Sequence, residues 1–146
     1  MDRIRKVEMG DTDAIYKYEM SFFRDYWSKN QIVMEINNIN AINLGFEKNS
    51  RLIGYIFARK SLDFVEILKI AVSKSFRKIG IAKELMKEIE ELSIQLQRKK
   101  IILEVREGNN SAITLYKKLG YKVNGIRRNY YKEYKENAVL MSKKLP

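Results

Sequence analysis

The chain has no cysteine and no histidine, one proline and seven glycines in 146 residues. Without cysteine there is no disulfide, no thiolate metal site and no cysteine nucleophile. Without histidine no imidazole can serve as base, ligand or pH switch. Acid–base chemistry is left to carboxylates, tyrosine, lysine, the backbone or water, and no metal site is expected. The scarcity of proline and glycine excludes collagen-like, low-complexity and disordered chains. No apolar run approaches the roughly 20 residues of a membrane span. Met1-Asp2-Arg3-Ile4-Arg5-Lys6-Val7 has no apolar signal-peptide core. A cytoplasmic protein with no membrane partner is expected.

What remains is ordinary folded matter. Hydrophobic residues make up 45% and charged residues 32%. A chain of this size buries roughly 70% of its unfolded surface, and residues 1–146 read as a single domain. Lys and Arg number 29 against 18 Asp and Glu, a net charge of +11. Such a balance favours polyanionic partners: nucleic acid, ribosome, anionic membrane or a phosphorylated cofactor. A solvated lysine-rich surface accounts for most of the excess.

Patterning gives the elements. Arg3 to Val7 alternates as a strand. Asp11-Thr12-Asp13 precedes Ala14, Ile15, Tyr18 and Phe22 at helical spacing. A short helix is expected over Lys29 to Asn38. Ala41 to Glu47 and Arg51 to Lys60 read as a hairpin, and Leu62 to Val72 as a third strand. Ile81, Leu85, Ile89, Leu92 and Leu96 form one helical stripe. Lys100 to Val105 reads as a buried strand, and Asn109 or Asn110 opens a helix that Gly120 stops. Tyr121 to Arg128 and Ala138 to Lys143 form a last strand pair, joined by the aromatic, charged stretch Asn129 to Asn137. The strand–helix–strand–helix–strand middle requires a crossover. The fold class is α/β: one mixed central sheet of six to seven strands, about four helices on its two faces, antiparallel outer strands.

Arg77-Lys78-Ile79-Gly80-Ile81-Ala82 follows a strand and opens a helix. Phosphates seek the unpaired N–H groups and positive dipole of a helix start. Gly80 and Ala82 keep side chains short there, and Arg77 and Lys78 add positive charge. A Walker loop is excluded by the missing Gly-Lys-Ser/Thr ending, and a dinucleotide fingerprint by the single glycine.

Ile70-Ala71-Val72 followed by Phe76 to Ala82 resembles motif A of the GNAT superfamily of N-acetyltransferases. Leu103-Glu104-Val105-Arg106, then Asn109, Ala112, Leu115-Tyr116 and Leu119-Gly120-Tyr121, resembles its next motif. Arg127-Arg128-Asn129-Tyr130-Tyr131, with Ala138-Val139-Leu140-Met141, resembles the end of the RimI-type branch, which acetylates protein N-termini. Glu19-Met20-Ser21-Phe22 and Trp27-Ser28 resemble that branch's substrate loop, with Tyr26 where a proline is usual.

The resemblance implies a GNAT fold, acetyl-CoA as cosubstrate and no metal. It implies that backbone N–H groups from Arg77 to Ala82 cradle the diphosphate, and that Ile70, Ala71 and Val72 line the pantetheine arm. A strand bulge near Val72 would present an N–H to the thioester carbonyl. Asn109, Ala112 and Tyr116 would approach the cosubstrate from the neighbouring strand and helix.

Glu104 interrupts an apolar strand, where an unpaired carboxylate costs several kcal/mol. It is read either as a structural ion pair or as the general base. Glu66 occupies a position where relatives often carry His or Tyr. It is a second carboxylate candidate, and two such groups near one cleft raise at least one pKa. Tyr116 is a candidate acid for the leaving thiolate. Met20, Phe22, Phe23, Tyr130, Tyr131 and Tyr134 could wall a slot for a protein or peptide N-terminus, possible ribosomal protein included. The competing readings are acetylation of a lysine side chain or a polyamine, an acetyl-CoA sensor, and a ribosome or nucleic-acid module suggested by the charge. Ribosome docking through a basic surface is compatible with the first reading.

Overall fold

In the computed structural model, which covers residues 1–146, the alternating N-terminal segment forms β1 (Asp2–Lys6). A 3-10 turn at Met9–Asp11 leads into α1 (Thr12–Phe22). Ser28 and Gln31 then form a reciprocal capping box: each side chain accepts the other's backbone N–H, at 3.1 and 2.8 Å. This starts α2 (Lys29–Ile36). The strands β2 (Leu44–Lys48), β3 (Arg51–Lys60) and β4 (Phe64–Val72) follow. Next come α3 (Ile81–Gln95), β5 (Lys100–Arg106), α4 (Asn110–Lys118), β6 (Lys122–Tyr131) and β7 (Glu136–Lys144).

The seven strands make one sheet in the order β1-β2-β3-β4-β5-β7-β6. Only β4 and β5 pair in parallel; every other neighbouring pair is antiparallel. The α/β class, the strand count and the helix count expected from patterning are all present. Three boundaries differ. The hairpin's first strand begins at Leu44, and Ala41 makes only an isolated bridge to Arg59. The third strand begins at Phe64, because the chain turns at Ser61, whose N–H donates to the Phe64 carbonyl at 2.7 Å. The stretch Asn129 to Asn137 mostly extends the last two strands, with Tyr131 opposite Glu136.

Two cores lie on opposite faces. Ile81, Leu85, Met86 and Ile89 of α3 pack with Tyr116 of α4 against Ile53, Val65, Ile67, Ile101, Leu103 and Met141. Ile15 and Ile32 of α1 and α2 pack against Tyr55, Phe57 and Ala71 on the other face. Helix α4 ends in a Schellman arrangement. The Tyr121 N–H reaches the Tyr116 carbonyl at 2.9 Å, and the Gly120 N–H reaches Lys117 at 3.0 Å. Gly120 supplies the left-handed φ of +97° this requires. The turn seats Tyr121 beside Tyr116, ring centroids 5.9 Å apart.

Candidate active site

The parallel ladder between β4 and β5 is short. It pairs Phe64–Ile67 with Lys100–Leu103 and then stops, although β4 continues to Val72 and β5 to Arg106. The two strands part, and a gap opens between their ends. The Ser73 N–H donates to Ile53 in β3 at 2.7 Å. Antiparallel alternation therefore turns the peptide groups of Ala71 and Lys69 towards β3, and those of Ile70 and Val72 into the gap.

The bulge expected near Val72 lies elsewhere. Val72 pairs regularly with Gly54, and the register shifts between Phe57/Lys69 and Ala58/Ile67, making Leu68 the extra residue. The cause is the pair of cores. Val65 and Ile67 must face α3, while Ala71 belongs to the α1–α2 core. A residue inserted between them reverses the alternation. It also puts Glu66 and Lys69 on one face.

The loop after β4 carries left-handed residues at Lys78 (φ 66°) and Gly80 (φ 92°), a turn geometry that gathers peptide N–H groups. A Cβ on Gly80 would meet nothing within 4 Å. Helix α3 has no side-chain cap, and its first internal hydrogen bond runs from Glu84 N–H to Gly80 at 3.0 Å. The N–H groups of Ile81, Ala82 and Lys83 precede that bond and have no intrahelical acceptor. This uncapped start beside the gap fits a diphosphate. The Arg77 side chain folds back instead: its Nε donates to the Val72 carbonyl at 3.0 Å, and its guanidinium lies 4.5 Å from the Phe22 ring.

Glu104 stands in the wall of the gap. Its Oε1 is 3.1 Å from Arg127 Nη2, while its Oε2 is buried with no hydrogen-bond partner. The Tyr131 hydroxyl donates to the Glu104 backbone carbonyl at 3.2 Å. Burial and the Glu104 charge both push the Tyr130 and Tyr131 phenols upward. Glu66 is close enough to sense Glu104. Burial first, and Glu104 second, raise its carboxyl above the ordinary 4.5, against the pull of Arg59 and Arg127. A raised carboxyl holds its proton more tightly when folded, so ionising it weakens the fold as pH climbs above 4.5. Glu66→Gln should therefore melt a few degrees higher than wild type at pH 7.5, and the gain should vanish at pH 4.

Tyr116 is 5% exposed, and burial pushes its phenol up to about 12. The Asn109 side chain accepts the Ala112 N–H at 3.3 Å as the cap of α4. Across the gap, the Arg24 N–H donates to the Tyr134 hydroxyl at 3.0 Å, and the Arg106 guanidinium lies 4.2 Å from the same ring. Tyr130, Tyr131 and Tyr134 contact one another edge-on, at 5.1 and 6.4 Å. The β6–β7 hairpin and the segment after α1 thus meet over Glu104. Met20 is 46% exposed on α1.

The α1 side of this slot rests on a cluster that sequence reasoning missed. Glu19 is fully buried. Its Oε1 accepts Lys69 Nζ at 2.8 Å and Trp27 N–H at 3.0 Å, and its Oε2 accepts the Tyr55 hydroxyl at 2.6 Å. Lys69 Nζ also sits 4.1 Å from Phe23 and 4.9 Å from Trp27 ring centroids. Two signals were available: a carboxylate one turn from Ile15 on the apolar face of α1, and a lysine inside the run Ile67 to Val72. The sequence marked Arg127 as part of the Arg127–Tyr131 motif but not as the partner of Glu104, a meeting that depends on the ladder order of β5, β7 and β6.

An acyl-transfer frame is thereby on view: a helix start open to a diphosphate, a gap towards which the Ile70 and Val72 N–H groups turn, a carboxylate at its end. The sequence pattern of the acetyltransferase (GNAT) family matches residues 12–121, and the chain belongs to that family. It is an acetyl-CoA-dependent N-acetyltransferase. A Bacillus subtilis protein provisionally named a [ribosomal protein bS18]-alanine N-acetyltransferase is 33% identical over 139 residues, 94% of this chain and 92% of the relative. An N-alpha-acetyltransferase of Sulfurisphaera tokodaii is 28% identical over 153 residues, 96% of this chain and 91% of the relative. The crystal structure of the ribosomal-protein-S18-alanine N-acetyltransferase from Escherichia coli superposes with a TM-score of 0.92 at 26% identity, covering 99% of this chain and 94% of that one.

Proposed function

We propose that the acceptor is the α-amino group of a protein N-terminus, with a ribosomal protein as the first candidate. The carrying observation is the position of the unpartnered Glu104 Oε2 beneath the Tyr130–Tyr131–Tyr134 hairpin. A slot between that hairpin and the segment after α1 suits an extended chain end. The names of the relatives from Bacillus, Sulfurisphaera and Escherichia support the same acceptor.

Acetyl-CoA supplies an activated thioester carbon. The N–H groups of Ile81 to Lys83 and the Lys78–Gly80 turn hold the diphosphate, and Ile70, Ala71 and Val72 line the pantetheine arm. A peptide N–H of Ile70 or Val72 donates to the thioester oxygen, where negative charge develops. Arg127 holds Glu104 Oε1, which leaves Oε2 to take the acceptor's proton directly or through water. The task is modest, because an α-amine has a pKa of about 8, against about 10.4 for a lysine side chain. Tyr116 donates a hydrogen bond to the departing sulfur. A phenol near 12 gives up its proton uphill to a thiolate of pKa about 8.5, so Tyr116 steadies the thiolate while water supplies the net proton. Glu66 shares the electrostatics of Glu104 from the neighbouring strand. Asn109 and Ala112 shape the α4 side of the gap. Met20, Phe22, Tyr130 and Tyr131 contact the incoming chain.

Mass spectrometry of peptides carrying both a free N-terminus and an internal lysine tests the acceptor. The expected product is acetylated at the α-amine alone. Acetylation confined to the ε-amine, or turnover with spermidine but no peptide, overturns the reading.

A further inference from the structure

Arg77 stands where three parts of the site meet. Its Nε donates to the Val72 carbonyl at 3.0 Å, and its guanidinium lies 4.5 Å from the centre of the Phe22 ring. That ring is a fixed platform. It stacks on Tyr18, 12° from parallel with centroids 5.7 Å apart, and the Tyr18 hydroxyl donates to the Leu52 carbonyl of β3 at 2.7 Å. No carboxylate holds Arg77, which takes part in none of the ion pairs. Its own residue begins the loop at the helix start, just ahead of the left-handed Lys78 and Gly80.

The Val72 carbonyl belongs to the gap. Because the Ser73 N–H pairs with Ile53, the carbonyls of Ile70 and Val72 both turn away from β3. The strand edge they form can take an extended amide chain as it would another strand. A pantetheine arm carries two amides, each with an N–H that needs an acceptor. One of the two carbonyls is held by a cation. A charged donor bonds about twice as strongly as a neutral amide, so a pantetheine N–H alone is the weaker competitor for Val72. A diphosphate is the better partner for the guanidinium, whose planar fork fits phosphate oxygens bidentately. The loop that would receive the diphosphate is the one Arg77 begins.

We propose that Arg77 is a specificity-determining residue for the cosubstrate: it covers the Val72 carbonyl until a diphosphate draws its guanidinium away, so that pantetheine thioesters without a diphosphate bind weakly. The proposal rests on the cosubstrate placement given under the proposed function and is independent of the acceptor. Diphosphate in the loop frees Val72 for the arm, and the arm in place leaves the guanidinium to the diphosphate. Each tightens the other by the same factor, as linkage requires. A side chain that merely closed the turn from Val72 to Lys78 would give no such coupling.

NMR titration of the full chain tests this without using acetyl transfer. At constant ionic strength, saturating inorganic diphosphate should tighten S-acetylpantetheine binding to wild type about three- to tenfold, the net worth of one hydrogen bond. Arg77→Met should bind S-acetylpantetheine more tightly than wild type by a similar factor, bind acetyl-CoA more weakly, and show no effect of diphosphate. Phe22→Leu removes the ring platform and leaves the loop intact. It should move S-acetylpantetheine in the same direction and bind acetyl-CoA no more weakly than wild type. No tightening by diphosphate in wild type, or tightening that persists in Arg77→Met, overturns the proposal. Weaker binding of both thioesters by Arg77→Met overturns it too, since that is the mark of a structural side chain. If acetyl-CoA leaves the amide signals of Ile70, Val72 and Ile81 to Lys83 unmoved, the placement falls and the proposal with it. If those signals move and no coupling is found, the placement stands and the proposal alone falls.

Discussion

Glu104→Gln should lower turnover by about 10²- to 10⁴-fold, the usual contribution of a positioned base. Gln keeps the shape and can still meet Arg127, so the fold and the helix start at α3 are untouched. Calorimetric affinity for acetyl-CoA should therefore match wild type. The remaining activity should rise with pH as free α-amine accumulates near pH 8, because deprotonation then no longer depends on the enzyme. Wild-type turnover in this variant would remove Glu104 from the chemistry. Tyr116→Phe is the companion. It too should slow turnover and spare acetyl-CoA binding, but without the alkaline recovery, since its target is the leaving sulfur.

The second large effect concerns stability. Lys69→Met should cost about 3–5 kcal/mol, the penalty for leaving a buried charge without its partner. Glu19 is 0% exposed and Lys69 11% exposed, so water cannot replace the lost ammonium. The Trp27 N–H and Tyr55 hydroxyl would remain on a carboxylate with no counter-charge. Adding Glu19→Gln to Lys69→Met should recover much of the loss, because an amide needs no counter-ion. Urea denaturation of the two single variants and the double variant closes the cycle. If the double variant were no more stable than Lys69→Met, the coupling between the two charges would be refuted. The segment 23–28, anchored through Trp27, should loosen in the single variant and raise KM for peptide more than it lowers kcat.

The elements that periodicity identifies well are those with one buried face. The α3 stripe held at Ile81, Leu85 and Ile89, and the structure adds Met86 and Ser93 to its buried side. Ser93 hides its hydroxyl by donating to the Ile89 carbonyl at 2.7 Å, which polarity scales do not anticipate. Leu96 falls outside because α3 ends at Gln95. Gly80 and Gly120 were legible because their neighbours required a helix start and a helix stop. The bulge at Leu68 was not, since it answers to two cores on opposite faces and no local pattern reports the second. The pairing of Arg127 with Glu104 was hidden for a related reason. It depends on β7 lying between β5 and β6, and strand order is a property of the whole sheet. Glu19 was legible only as part of the Glu19–Phe22 segment and Lys69 only as a member of a strand; together with Tyr55 and Trp27 they make an interior.

The brevity of the ladder between β4 and β5 reaches beyond the chemistry it makes room for. Along that seam the molecule is two antiparallel halves, β1–β4 and β5–β7, stitched by four residue pairs. A cosubstrate lying in the gap acts as mortar between them. Loaded protein should then be sturdier than empty protein by about 2.7 kcal/mol at a hundredfold excess over Kd, so resistance to heat becomes a gauge of how much acetyl-CoA surrounds the enzyme.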